Sequence, residues 1–196
     1  SPGSTQAQFR LLETQDLRLA YFGPVHGFLA PYTAQCFQNS LAFYRRTLDY
    51  APTERVNVSL DDTGDFRNAG VWGTPRSSMM VQIAPSNFVY ETSPSNERIN
   101  FLMNHEMAHV VTLDQAAGRD LLFRRLFLGK VRESAEHPET ILYNYLTLPR
   151  RSAPRWHREG AATFFETWMA GGYGRVQGPY DEMVFRAMVL DDAHFY

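Results

Sequence analysis

The chain has 196 residues, of which 44% are hydrophobic and 20% charged, and its formal net charge at pH 7 is −2; this length and composition predict one soluble domain with its own hydrophobic core. Arginines and acidic residues are interspersed along the chain, so the charge pattern indicates no nucleic-acid-binding surface. The single cysteine, Cys36, excludes an internal disulfide and any metal site with several thiolates, which leaves His, Asp and Glu as possible metal ligands.

The two ends of the sequence differ from the rest in composition. Residues 1–8 begin with SPGS and continue with polar residues, so we expect a remnant of an expression vector or a disordered end there, followed by one domain over 9–196. The chain stops just after an apolar, helix-like stretch, which leads us to expect a longer protein with further domains C-terminal to this one. No apolar run is long enough to cross a bilayer, and no segment has the pattern of a secretion signal.

The first part of the domain, residues 9–94, is predicted to be rich in β-strands. The two apolar runs FRLLET and LRLAYF are separated by a polar pair and predict an antiparallel hairpin. Apolar residues at mixed three- and four-residue spacing predict an amphipathic helix within 28–48. Alternating or β-branched runs and their bounding turns therefore predict strands at residues 9–14, 17–22, 55–60 and 78–85.

The second part, residues 95–196, is predicted to be helical, which makes the whole an α+β domain. Ser95 is a candidate N-cap for a helix over about 97–116. A second amphipathic stretch covers 120–131, and prolines at positions 138, 149 and 154 are expected to interrupt the segment that follows. The last clear helix is predicted from Arg155 to Met169.

The stretch NHEMAHVVTLD at 104–114 places two histidines and a glutamate within an otherwise apolar helix. His105 and His109 are four residues apart and therefore project side by side, one turn apart. Buried imidazoles need polar partners, and one zinc ion held by both rings would supply them. Glu106, about 100° round the helix from His105, would then point past the metal at its bound water. The alternative is a pair of hydrogen-bonded core histidines.

A catalytic zinc ion usually has three protein ligands and one open position. The metzincin pattern would require Gly at 112 and His at 115, but the chain has Thr112 and Gln115. Glu159, in the stretch WHREGAATFFE, is the preferred third ligand, because the small residues that follow it allow another helix to approach. His157 and His137 are the alternatives, and His157 lies about 200° round the helix from Glu159, so both cannot face one ion.

HEMAH followed by WHREGAATFFE resembles the gluzincin zinc peptidases, the group that includes thermolysin and the aminopeptidase N type. The resemblance implies a zincin-like fold, in which a small mixed or antiparallel sheet with a packed helix precedes a helical part that carries the zinc site. It implies one zinc ion bound by His105, His109 and Glu159, with Glu106 as the general base for hydrolysis of a peptide or protein substrate.

Further positions match the family less specifically. Glu166 matches a glutamate common in the aminopeptidase branch, and Thr163 falls where such helices often support the first histidine. The order of strands and helix before the motif also fits the family, in which an edge strand borders the substrate cleft. Many bacterial relatives of this kind are exported, so the resemblance implies a periplasmic, cell-envelope or extracellular location.

Three features depart from the family pattern. His109 and Glu159 are 50 positions apart, about twice the usual separation, so residues 118–155 resemble an insertion. The G-x-M-E-N motif of aminopeptidases has only a weak counterpart in AGVWG at 69–73, which leaves endopeptidase and aminopeptidase activity both open. The side chain that stabilises the oxyanion is not identified by the resemblance, and the candidates are Tyr173, Tyr180 and His194.

Other interpretations remain open. The domain could be an inactive zincin that serves as a binding or structural module in a longer protein. The 120–131 segment is interpreted as a helix packed on the domain with its basic residues in water, and a membrane-surface or partner-docking face is the alternative. Asp61, Asp62 and Asp65 are interpreted as a solvated turn rather than a calcium loop, and His26 as a surface or loop residue.

Overall fold

A five-stranded mixed sheet forms one layer of the protein. The computed structural model describes residues 8–64, 68–84, 97–147, 153–172 and 174–192. The strands are β1 (Gln8–Glu13), β2 (Leu17–Gly23), β3 (Val56–Asp61), β4 (Ala69–Trp72) and β5 (Ser78–Gln82). Their order across the sheet is β1-β2-β3-β5-β4, with parallel pairing inside the sheet and antiparallel pairing at both edges.

The helices form the second layer and the C-terminal part. They are α1 (Ala30–Leu48), α2 (Arg98–Asp114), α3 (Arg119–Leu126), α4 (Pro138–Thr147), α5 (Arg155–Met169) and α6 (Pro179–Leu190), with a short 3-10 turn at Arg175–Gln177. The architecture is therefore α+β, as predicted. In the described part of the chain, no helix combines the length and apolar character that crossing a bilayer requires.

The hydrophobic core lies between one face of the sheet and helices α1 and α2. Alternate residues of the inner strands point into it because strand side chains alternate between faces. Helix α2 packs against α1, α5 and strands β4 and β5, so it is surrounded on most sides. The core includes Leu17, Leu19, Phe37, Leu41, Val58, Met79, Met103, Met107 and Val110.

Most elements predicted in the first part are confirmed. The β1–β2 hairpin, helix α1 and strands β3 and β5 all lie where the pattern places them. Strand β4 was not predicted, because Ala69–Trp72 is short, contains a glycine and shows no alternation. It forms the sheet edge that contacts α2, whereas β5 lies inside the sheet.

The bounds of α2 differ from the prediction at both ends. The N-cap is Glu97, whose carboxylate accepts the backbone N–H groups of Ile99 and Asn100 at 3.0 and 2.7 Å, and the proposed cap Ser95 lies outside the described residues. A longer side chain thus performs the capping role usually expected of serine. The helix ends at Asp114, earlier than predicted.

Pro138 is the first residue of helix α4. A proline at the first position of a helix loses no intrahelical hydrogen bond, because its N–H would have no partner there. Pro179 occupies the same position in α6. The described helices do not continue through any of the three prolines, as predicted, but the helix at 138–147 was not itself predicted.

The 120–131 segment was predicted to have its basic residues in water, and this prediction was wrong for Arg124 and Lys130. Arg124 and Lys130 are buried and donate to the carboxylate of Asp114 at 3.3 and 2.9 Å. Leu126 and Leu128, by contrast, are exposed. The two basic side chains thus contact the buried carboxylate at the end of α2, while the leucines face solvent.

Two smaller predictions concern the loops beside the sheet. His26 lies in a turn, as expected, but it is buried, with Nε2 3.5 Å from Asp62 Oδ2. The carboxylate of Asp61 accepts the backbone N–H and the hydroxyl of Thr63, which is the hydrogen bonding of a local turn. Asp65 lies outside the described residues.

Candidate metal centre

The two histidines of the motif converge on one point beside α2. The Nε2 atoms of His105 and His109 are 3.3 Å apart, and the rings meet edge to face. Both side chains are largely shielded from solvent. The four-residue spacing on a regular helix is sufficient to produce this arrangement.

Glu159 is brought to the same point by α5, which packs along α2. Its Oε2 lies 3.3 Å from Nε2 of His105 and 3.5 Å from Nε2 of His109. Ala162, one turn later, is fully buried, and its small side chain permits the close packing of the two helices. Glu159 itself is 44% exposed, so the point of convergence is open to solvent on that side.

The spacing of these three atoms fits a tetrahedral zinc site. Zinc binds imidazole nitrogen and carboxylate oxygen at about 2.0 to 2.2 Å, which separates tetrahedral ligands by about 3.3 to 3.6 Å. The observed separations of 3.3 to 3.5 Å lie in this range. Among the described residues, His105, His109 and Glu159 are the group whose ligand atoms could hold one metal ion.

The electrostatics of the point of convergence also favour a cation. Nδ1 of His105 lies 2.7 Å from Oε2 of Glu166, which as a carboxylate can only accept, so Nδ1 donates there and Nε2 is the ring nitrogen that faces His109 and Glu159. Burial and the neighbouring His105 lower the pKa of His109, which favours its neutral form at pH 7. When both rings are neutral, three acceptor atoms face one another, and a cation would stabilise that arrangement.

Glu106 is buried beside this group. Burial is the main cause that raises the pKa of Glu106 to about 7, and the carboxylates of Glu159 and Glu166 act in the same direction. Arg175, and His105 when its ring is protonated, act against them. A bound dication would attract the carboxylate form and lower this pKa. A carboxylate in this environment is suited to accept and return a proton near neutral pH.

Glu166 and Arg175 form an ion pair behind His105. The guanidinium donates from Nε to Oε1 of Glu166 at 2.7 Å and from a terminal nitrogen to Oε2 at 2.6 Å. Burial of Glu166 would raise its pKa, but the hydrogen bonds and charges of Arg175 and His105 outweigh burial and lower it. Arg175 was missed by the sequence interpretation, because an isolated arginine beyond the glycine pair carries no motif.

The sequence also named Thr163 as a support for His105, and Tyr173, Tyr180 and His194 as candidates for stabilising the oxyanion. Glu166, not Thr163, contacts Nδ1 of His105, and the carbonyl of Thr163 accepts the hydroxyl of Thr167. Tyr180 lies in the first turn of α6 and is half exposed. Tyr173 and His194 lie outside the described residues.

The alternative third ligands are placed elsewhere. His137 is exposed and lies 3.2 Å from Glu139 at the start of α4. The ring of His157 contacts Trp156, and the residue is exposed. The structure thus brings Glu159, and neither of these histidines, to within ligand distance of His105 and His109.

Comparisons with family models, curated proteins and solved structures found no match to this chain. The similarity to gluzincins therefore depends on the two motifs and on the arrangement of the residues themselves.

Proposed function

We propose that this protein is a gluzincin-type zinc peptidase with a zincin-like fold. The observation that carries the proposal is the convergence of His105, His109 and Glu159 at separations that suit tetrahedral zinc, with Glu106 buried next to them. Strand β4, which is the edge strand of the described sheet on the side of α2, supports it, because an extended peptide can add to the edge strand of a sheet.

Zinc at this point would polarise the scissile carbonyl and lower the pKa of its water towards about 7. Glu106 accepts a proton from the attacking water as the oxygen bonds to the carbonyl carbon. It then delivers that proton to the amide nitrogen, so that the C–N bond breaks and a free amine leaves. Glu166 holds His105 so that Nε2 remains available to the metal.

The proposal also covers the substrate class, the location of the protein and the mode of cleavage. It acts on peptide or protein substrates at an exported location. Whether it cleaves within chains or removes N-terminal residues depends on how the substrate meets β4, and both modes use the same zinc and base chemistry.

The second candidate is an inactive zincin that acts as a binding module. The exposed apolar residues of α3, α4 and their connection favour it, because many exposed apolar side chains on two neighbouring helices are typical of an interaction site. Glu106 argues against it, since a scaffold needs no general base. The exposed residues are Leu121, Leu122, Leu126, Phe127, Leu128, Ile141, Leu142, Tyr145 and Leu146.

Elemental analysis of protein purified without added metal tests the site directly. We expect about one zinc ion per chain in the wild type and a clear loss in Glu159→Ala, because two imidazoles alone leave the tetrahedral site incomplete. His157→Ala, which changes an exposed residue two positions away, is the matched control and should retain the metal. A wild-type protein that neither contains zinc nor takes it up on titration would favour the binding module.

A further inference from the structure

Arg175 lies at the back of the candidate metal centre and makes a two-point contact with Glu166. Nε and a terminal nitrogen bind the two carboxylate oxygens separately, at 2.7 and 2.6 Å. The Glu166 side chain is fully buried, so its orientation depends on protein groups alone. A guanidinium that binds both oxygens of a carboxylate restricts its rotation more than a single donor can.

The orientation of Glu166 determines the orientation of His105. Oε2 of Glu166 lies 2.7 Å from Nδ1 of His105 and also accepts from Arg175. The same nitrogen of Arg175 lies 2.7 Å from Nδ1, but both atoms carry hydrogen when Nδ1 donates to Glu166, so this is a close approach around a shared acceptor. The contact with Glu166 favours the tautomer with hydrogen on Nδ1, in which Nε2 is free to bind a metal ion.

A tight turn brings Arg175 to this position from the end of α5. The backbone N–H of Gly172 donates to the carbonyl of Thr167 at 2.9 Å, and that of Val176 donates to the Thr167 hydroxyl at 3.3 Å. A Cβ atom added to Gly174 would overlap the backbone and side chain of Thr167. Glycine at 174 is therefore what lets the turn lie against α5.

The face of the Phe101 ring provides a second contact. The guanidinium carbon of Arg175 lies 5.5 Å from the centre of that ring, which belongs to the first turn of α2. A cation over an aromatic face is stabilised by about 0.5 to 2 kcal/mol. Arg175 is thus held by α2 and α5, the same two helices that provide the candidate metal ligands.

We propose that Arg175 is a positioning residue of the metal centre, which clamps Glu166 so that His105 presents Nε2 to the ion. This role rests on the proposed zinc site but not on any particular substrate. It predicts that Arg175 affects metal affinity and coordination although it does not touch the metal.

The first experiment is a titration of the metal-free protein with Co²⁺, followed by visible absorption. Partners that orient metal-binding histidines typically affect affinity by about 10- to 100-fold, and we expect a loss of that size with a changed cobalt spectrum in Arg175→Met. Arg175→Lys should recover part of the affinity, because it keeps the charge but cannot bind both oxygens in the same way. Arg186→Gln, at an exposed ion pair on α6, is the control and should behave as the wild type.

A second variant displaces the arginine without altering it. Gly174→Ala should push the turn off α5 and weaken Co²⁺ binding in the same direction as Arg175→Met. Gly27→Ala is the matched control, since the added Cβ meets only an ordinary contact there and the residue lies in a distant turn. If Arg175→Met does not fold, Arg175→Lys and Gly174→Ala decide the question.

Nitrogen NMR of the histidine rings separates this inference from the proposed function. In the metal-free wild type, we expect His105, assigned by comparison with His105→Gln, to show a protonated Nδ1 and a free Nε2, and Arg175→Met to show a mixture of tautomers. If the wild type binds no Co²⁺ or Zn²⁺, the proposed function fails, while a tautomer change in the variant still supports the positioning role. Folded Arg175 and Gly174 variants with wild-type ring signals and unchanged Co²⁺ binding would overturn it.

Discussion

Helix α2 carries two buried polar clusters that differ in the balance of their charges. At its C-terminal end, Asp114 accepts hydrogen bonds from Tyr50, Thr53, Arg124 and Lys130. Lys130 also contacts Glu54, at 2.6 Å. Two carboxylates are thus matched by two cationic side chains, and the carboxylate of Asp114 is surrounded by donors.

The cluster around His105 is not balanced in this way. It contains the carboxylates of Glu106, Glu159 and Glu166, and among the described residues the arginine or lysine that pairs with this group is Arg175, which contacts Glu166. When all three carboxylates are ionised and both imidazoles are neutral, the cluster carries a negative surplus that one dication would neutralise. The raised pKa of Glu106 has burial as its main cause.

The difference indicates different roles. A buried carboxylate with a full set of donors stabilises the fold and needs nothing further. A buried group of converging acceptors with surplus negative charge is costly unless a cation completes it. We therefore expect the Asp114 cluster to affect stability and the His105 cluster to affect metal binding and turnover.

The largest expected effect is that of Glu106→Gln on catalysis. Removal of a general base typically lowers the rate by about 10²- to 10⁴-fold, and we expect a loss in that range in the turnover of a peptide substrate. Zinc content and thermal stability should change little, because the amide keeps the shape of the side chain. Near-normal hydrolysis in this variant would remove Glu106 from the mechanism.

The next largest effect concerns the balanced cluster. In Asp114→Asn, the positive charges of Arg124 and Lys130 lose their buried partner, and breaking such a pair costs about 3 to 5 kcal/mol. Urea unfolding followed by circular dichroism measures this loss. Asp120→Asn, at an acidic residue in the first turn of α3, is the control. A similar loss of stability in both variants would contradict the special role of Asp114.

A smaller effect is expected from pH. Burial would raise the pKa of Asp114, but the charge of Lys130 and hydrogen bonds from Lys130 and Thr53 outweigh it, so the pKa is lowered in the folded protein. The associated stabilisation is complete above the unfolded pKa of about 3.9 and is lost as the pH falls through the lower folded value. Metal-free wild type should therefore lose more stability than Asp114→Asn between about pH 5 and the folded pKa. Parallel curves for the two proteins would assign the acid sensitivity to other groups.

Much of the fold follows from local patterns in the sequence. The hairpin, α1, α2 and α5 were predicted because their apolar spacing repeats over several turns or strand residues. Strand β4, Glu97 as the N-cap and the helix that begins at Pro138 were not, because a short or atypical segment takes its structure from its neighbours.

The residues of the candidate site also fall into two groups: those that the sequence places, and those that only the tertiary structure places. The sequence by itself determined that His105 and His109 lie side by side, because the geometry of one helix sets the distance between residues four apart. Only the tertiary structure decided that Glu159 reaches them, that Arg175 is clamped on Glu166, and that Arg124 and Lys130 turn inwards. These contacts join separate segments of the chain, and their distances depend on how the helices pack together.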